Sequence, residues 1–215
     1  MLFAFDSKTC GLLHRALACN GVAGTEKSRK SYVALVRGDW NRKFTSDEVV
    51  AVNKPLKVKE EMKDSATEFR LLASNPMDDS RSPGACSLLL CIPKTGRTHQ
   101  IRRHLQSLSL PIIGDTEHGD SKINRWWRQN RSLDRLFLHC LSLDLPPMST
   151  FDETKREERI ECVAPLPPDL RRVMEHEDMG DLWNVARGKC SSLSLEFFDE
   201  RGGSFGRNYS SSRGN

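Results

Sequence analysis

The segment Lys94–Leu105, K-T-G-R-T-H-Q-I-R-R-H-L, gathers Lys94, Arg97, Arg102 and Arg103 with no acid among them. Gly96 permits a tight strand-to-helix turn. Thr98 is suited to cap the helix that follows, whose apolar stripe is Ile101, Leu105 and Leu108. The N–H groups at such a helix start attract anions, and Lys94 and Arg97 add fixed positive charge there. Anion binding is therefore the chemistry this spacing offers. A solvated basic helix face is the plainer alternative, since charge clusters commonly are that. His99 and His104 stand five positions apart, hence on different helix faces with no acid or thiolate near in sequence. They read as structural or hydrogen-bonding histidines, and no metal is expected.

A second cluster is Ser121–Arg135, S-K-I-N-R-W-W-R-Q-N-R-S-L-D-R, where five basic residues interleave with Trp126 and Trp127 and only Asp134 opposes them. Guanidinium groups pair with phosphates and flat rings stack on unpaired bases, which makes Arg125, Trp126 and Arg128 candidates for RNA contact. A helix with core tryptophans and solvated arginines explains the same pattern, and both can hold at once. Tyr32, in K-S-Y-V-A-L-V-R-G, is by itself an ordinary packing residue of a strand. No phosphate loop, dinucleotide glycine fingerprint or H-E-x-x-H motif occurs, so no cofactor is expected.

These segments need elements to position them. Asp6 and Ser7 can start a helix with Leu12, Leu13, Ala16 and Leu17 inward. Lys30–Gly38, Thr67–Ala73, Ser87–Pro93, Leu136–Leu145 and Arg159–Ala164 read as strands. Asn75–Ala85 is a loop, residues 39–65 hold short strands and a charged turn, and Pro168 opens a helix carrying Leu170, Val173 and Met174. Leu2–Phe5 reads as a core strand. Many strands and few helices on one core imply an α+β domain on a mixed, mainly antiparallel sheet with flanking helices. Residues 1–187 form that domain. Residues 188–215 read as a disordered tail, because residues 201–215 hold four glycines, four serines and three arginines.

Composition sets the outer limits. The chain has 215 residues, 37% hydrophobic and 29% charged, with a net charge of +4 that permits nucleic acid without proving it. No apolar run approaches the ~20 residues of a membrane span. Seven cysteines without regular spacing suit free thiols in a reducing, intracellular compartment. A monomer is expected.

The block G-R-T-H-Q-I-R-R-H-L, followed by P-I-I-G-D-T-E-H-G (Pro111–Gly119), resembles the third conserved block of RluA-type RNA pseudouridine synthases. K-S-Y-V-A-L-V-R-G resembles the block that carries their active-site tyrosine. T-E-F-R-L-L (Thr67–Leu72), L-F-L-H-C-L (Leu136–Leu141) and A-P-L-P-P-D-L (Ala164–Leu170) fall in the same order as family strands and the closing helix. The insertion I-N-R-W-W-R is similar to the TruC-like, tRNA-modifying branch. His118 departs from the family, which carries an aromatic residue there.

The resemblance implies a cofactor-free isomerase acting on tRNA or rRNA. A uridine is flipped out of the RNA. An aspartate attacks or assists at the sugar, the glycosidic bond breaks, and uracil rotates and rejoins through carbon. Arg102 would pair with that aspartate, and Tyr32 would stack on the base and help with its proton chemistry. Lys94, Arg97, His99 and Arg103 would contact the RNA backbone or, with Thr98, support the helix start. The family places H-R-L-D-R before a strand like Leu2–Phe5, and these residues contain no such segment. Asp6 follows the strand, and Asp115 belongs to the Gly-Asp turn. The resemblance thus implies a chain lacking the N-terminal part of its domain and inactive alone, with Arg102 left as an unpaired charge. A non-catalytic RNA-binding module is the alternative, and an interaction protein with an incidental basic surface ranks last.

Overall fold

β-Branched and large apolar residues dominate the segments that pair. V-A-L-V at Val33–Val36 and L-L-L-C at Leu88–Cys91 are buried without interruption, as strands covered on both faces must be. The computed structural model describes residues 4–18, 28–76, 84–150, 152, 154 and 157–192. Their elements in chain order are α1 (Ser7–Ala18), β1 (Arg29–Arg37), β2 (Val49–Asn53), β3 (Leu56–Val58), β4 (Glu61–Lys63), β5 (Ala66–Asn75), β6 (Cys86–Pro93), α2 (Gln100–Ser107), α3 (Ser121–Arg131), β7 (Leu138–Leu145), β8 (Ile160–Val163), α4 (Pro168–Met174) and α5 (Gly180–Ser192).

Six strands form one sheet in the order β2-β5-β6-β1-β7-β8, and every pairing is antiparallel. The short hairpin β3–β4 stands apart from it. The α+β architecture with a mainly antiparallel sheet is the one expected. Phe69, Leu35, Leu89, Leu105, Phe137 and Trp127 are among its fully or nearly fully buried side chains.

Two differences from expectation appear among the described residues. Ala4 and Phe5 are not in a strand, and Phe5 is fully exposed, so at its described end the opening segment is not core; residues 1–3 lie outside the described residues. Helix α5 continues through Gly188 to Ser192, although the sequence suggests fading order there. Its buried stripe of Leu182, Trp183, Ala186 and Cys190 has helical spacing but includes two small residues, which weakens the pattern. The rest of the expected tail lies outside the described residues. The 76–85 loop is likewise described only at its two ends.

The register fixes what meets what. Because β6 runs antiparallel to β1, the end of β6 at Pro93 lies beside the start of β1, with Tyr32 opposite Cys91. The chain leaving β6 therefore enters Lys94–Thr98 at the same sheet end as Lys30 and Tyr32. Lys30 Nζ lies 3.8 Å from where a Cβ on Gly96 would stand. On its other side, Tyr32 pairs with Cys140 of β7 next to a register shift between Ser31 and Tyr32. Bulges of this kind re-aim side chains and are frequent beside active sites.

Candidate functional site

The turn into α2 is organised by Gln100 rather than by Thr98. Gln100 is buried, and its Oε1 accepts from Arg97 N–H at 3.0 Å and from Thr95 Oγ1 at 2.6 Å. Its Nε2 donates to Ala66 O at 2.9 Å and Thr67 Oγ1 at 3.0 Å. The N-cap position falls on His99, which adopts left-handed φ of 52° and makes no side-chain cap bond. Thr98 is exposed and precedes the cap, which corrects its expected capping role. Gly96 is also not forced by geometry, since its φ is not positive and a Cβ would meet nothing nearer than Lys30 Nζ.

The inner face of α2 carries His104 with Ile101 and Leu105. His104 Nδ1 lies 2.9 Å from Thr67 Oγ1 and Nε2 lies 2.9 Å from Ser65 Oγ. Burial pushes its pKa down, so the ring is neutral and structural, in keeping with the sequence expectation.

Arg102, one turn into α2, has a partner. Its Nε donates to Asp115 Oδ2 at 2.8 Å and its Nη2 to Asp115 Oδ1 at 2.7 Å, a bidentate fork. The Asp115 side chain is fully buried and that of Arg102 is 13% exposed. Burial alone would raise the Asp115 carboxyl. The Arg102 fork and the N–H groups of His118 and Glu117 outweigh it and hold the group below the ordinary carboxylate value. The expectation of an unpaired Arg102 is therefore overturned. An acid thirteen positions away closes the pair, a distance no local pattern reveals.

The turn bearing Asp115 is itself clamped. Gly114 N–H donates to Asn124 Oδ1 at 2.8 Å, and Asn124 Nδ2 donates to Asp115 O at 2.7 Å. Asn124 belongs to α3, which Asp120 caps by accepting from Lys122 and Ile123 N–H. Gly114 has φ of 83°, and a Cβ there would stand 2.1 Å from Arg135 O. Only glycine fits.

Glu117 lies over this pair. Its Oε2 is 3.4 Å from Arg102 Nη2, 3.0 Å from His99 Nδ1 and 3.6 Å from His118 Nε2. The rings of His99 and His118 meet edge-on at 5.6 Å. Sequence reasoning misses Gln100, Asp115, Glu117 and Asn124 as site residues. The available signals are the Gly114–Asp115 turn and an asparagine on the inner side of a basic helix.

The other candidates are spread over two surfaces. Lys94 pairs with Glu68 at 2.7 Å, Arg97 Nε donates to Asp64 O at 3.1 Å, and Arg103 Nη1 donates to Lys57 O at 2.9 Å. These bonds tie the α2 start to β5 and to the β3–β4 hairpin while leaving part of each cation in solvent. On α3, Arg125 is exposed and Arg128 lies 3.7 Å from Asp134. Trp127 is core, whereas Trp126 is half-buried, packs edge-on to Trp127 and carries the Arg131 guanidinium 4.8 Å above its ring. Trp127 is thus the core residue that the plainer reading expects, and Trp126 keeps part of its ring at the surface. Tyr32 is half-buried, and burial, reinforced by a hydrogen bond with Cys140, pushes its phenol up to about 12. It is a neutral phenol at any physiological pH.

A family profile described as RNA pseudouridylate synthase matches residues 1–107. The tRNA pseudouridine synthase C of Vibrio vulnificus is 36% identical over 160 residues, covering 66% of this chain and 64% of that protein. The chain belongs to the RluA-type RNA pseudouridine synthases. Among these relatives, the ribosomal large subunit pseudouridine synthase C of Escherichia coli is 34% identical over 155 residues, covering 68% of this chain and 44% of that protein. This RluA-type chain therefore spans less than two thirds of the length of the relatives it matches. Its fold is that of human RNA pseudouridylate synthase domain containing 4, with a TM-score of 0.55 and 18% identity over 82% of this chain and 69% of that one. The domain containing 1 protein gives 0.53 and 23% over 76% and 62%. All six cysteines among the described residues are free thiols. No described helix is long and apolar enough to cross a membrane.

Proposed function

We propose that this chain is the RNA-holding part of an enzyme that converts uridine to pseudouridine in structured RNA. What supports the reading is the pairing of family membership with the cationic segment that leaves β6 beside the Tyr32 end of the sheet, where Lys94, Arg97 and Arg103 keep part of their charge in solvent. Tyr32 is the residue that stacks on the flipped uracil, and its raised pKa keeps the phenol protonated while it does so. In this reading Lys94, Arg97, Thr98, His99 and Arg103 contact the RNA backbone at the start of α2. Arg125, Trp126 and Arg128 extend the contact along α3. The TruC-like character of that insertion favours a tRNA substrate.

Asp115 does not serve as the attacking carboxylate. It is fully buried, and its oxygens already accept from Arg102 and from two backbone N–H groups. In this reading the chain binds RNA without Asp115 acting in the isomerisation. A second reading, a binding module that never isomerises, is favoured by one observation: the Arg102 fork is already satisfied by Asp115 and calls for no further carboxylate.

The test is filter binding and carbodiimide primer-extension mapping of pseudouridine with the purified chain and transcribed tRNA. Binding without a pseudouridine stop is expected. A stop would overturn the claim of inactivity, and RNA affinity indifferent to Arg97→Ala would overturn the RNA-holding role.

A further inference from the structure

We propose that His99, Glu117 and His118 form a binding site for a zinc-class divalent cation. The three donor atoms come from two separate segments, the residue preceding α2 and the loop after the Gly114–Asp115 turn. His99 Nδ1, Glu117 Oε2 and His118 Nε2 all lie within 4.8 Å of one another. Metal–ligand bonds of about 2.0–2.2 Å place tetrahedral ligand atoms about 3.3 Å apart. The two distances to Glu117 Oε2, 3.0 and 3.6 Å, bracket that value.

A second observation is independent of this spacing. His118 Nε2 is buried and has no hydrogen-bond partner. A buried polar atom left this way costs free energy unless something satisfies it. A cation bound by Glu117 and His99 would sit within its reach.

The surroundings suit the charge. Arg102 and Asp115 neutralise each other, so the Glu117 carboxylate faces the two imidazoles without a competing net charge from that pair. The ligand loop is pre-arranged, because Asp115 Oδ1 accepts from both Glu117 N–H at 3.0 Å and His118 N–H at 2.9 Å. Arg102, close to the ligating carboxylate, takes the place of the outer-sphere partner that metal-bound carboxylates have. Two imidazoles and a carboxylate select zinc, nickel or copper over magnesium and calcium, which prefer oxygen alone. Three protein ligands leave one position open.

Calorimetric titration of the 215-residue chain with zinc chloride tests this, alongside His99→Ala, His118→Ala and Glu117→Gln. His14→Ala, on an exposed face of α1, is the control. One zinc per chain is expected. Affinity should fall at least about tenfold in each of the three variants, the loss that even outer-sphere changes produce, and stay unchanged in the control. Circular dichroism keeps a folding defect separate from a missing ligand. X-ray absorption at the zinc edge should give nitrogen and oxygen neighbours only. Affinity equal in all variants, sulfur neighbours from the free thiols, or no binding at micromolar zinc would overturn the proposal.

Discussion

Arg102 and Asp115 hold each other through two parallel hydrogen bonds of 2.8 and 2.7 Å across the gap between α2 and the Gly114 turn. Removing Asp115 takes away both bonds and leaves Arg102 only the more distant Glu117 Oε2 at 3.4 Å, and breaking a buried pair typically costs about 3–5 kcal/mol. Asp115→Ala is therefore expected to lose about that much stability in urea denaturation. The double variant Arg102→Met, Asp115→Leu should lose clearly less than the sum of the single changes, because no orphan charge remains. Additive losses would mean that the two side chains do not depend on each other.

The same pair sets an acid limit. The Asp115 carboxyl is held below its ordinary value, so its contribution is complete above about pH 4, the unfolded carboxyl range, and disappears as pH falls through the lower folded value. Wild-type stability should fall with acid in that window. Asp115→Asn should be less stable at neutral pH and should show a shallower decline below about pH 4. Parallel pH profiles for the two proteins would contradict the assignment.

Two glycines in the site loops should respond oppositely. Gly114 is in the left-handed region, and a Cβ there would stand 2.1 Å from a backbone oxygen. Gly114→Ala should cost at least about 2 kcal/mol from overpacking and conformational strain. Gly96 has ordinary φ and open space, so Gly96→Ala should stay within about 0.5 kcal/mol of wild type. Thermal denaturation of the two variants decides between them, and equal losses would refute the contrast.

The sheet is legible in the sequence because its strands are long apolar runs bounded by turn residues: β1, β5, β6 and β7 lie within a few residues of where the pattern places them. The basic segment before α2 is legible for the same local reason. What the sequence hides is long-range. The pairing of Arg102 with Asp115, the clamp of Asn124 on Gly114 and Asp115, and the meeting of His99 with Glu117 and His118 all depend on how the chain folds back after α2. Thr98 and Gly96 look like the cap and the hinge because they are the usual residue types for those tasks. Gln100, an unremarkable residue in a helix, makes the four hydrogen bonds that hold the turn.

Arg125 is exposed and Arg128 has only a long, solvent-exposed ion pair at 3.7 Å, so neither contributes much to folding. Their conversion to alanine should leave the stability unchanged within about 0.5 kcal/mol in urea denaturation. If both bind phosphate in the proposed complex, the double variant should weaken tRNA binding at low salt. It should also reduce the slope of log affinity against log salt by about 0.7–0.9 for each phosphate no longer neutralised. Trp126→Ala separates charge from stacking. Removing a base-stacking ring worth about 1–3 kcal/mol would weaken binding with little change in that slope. Because Arg131 lies over the Trp126 ring, Arg131→Ala should be compared with it. Affinity and salt slope unchanged in all these variants would remove α3 from the RNA-binding surface and leave the α2 start as the remaining candidate.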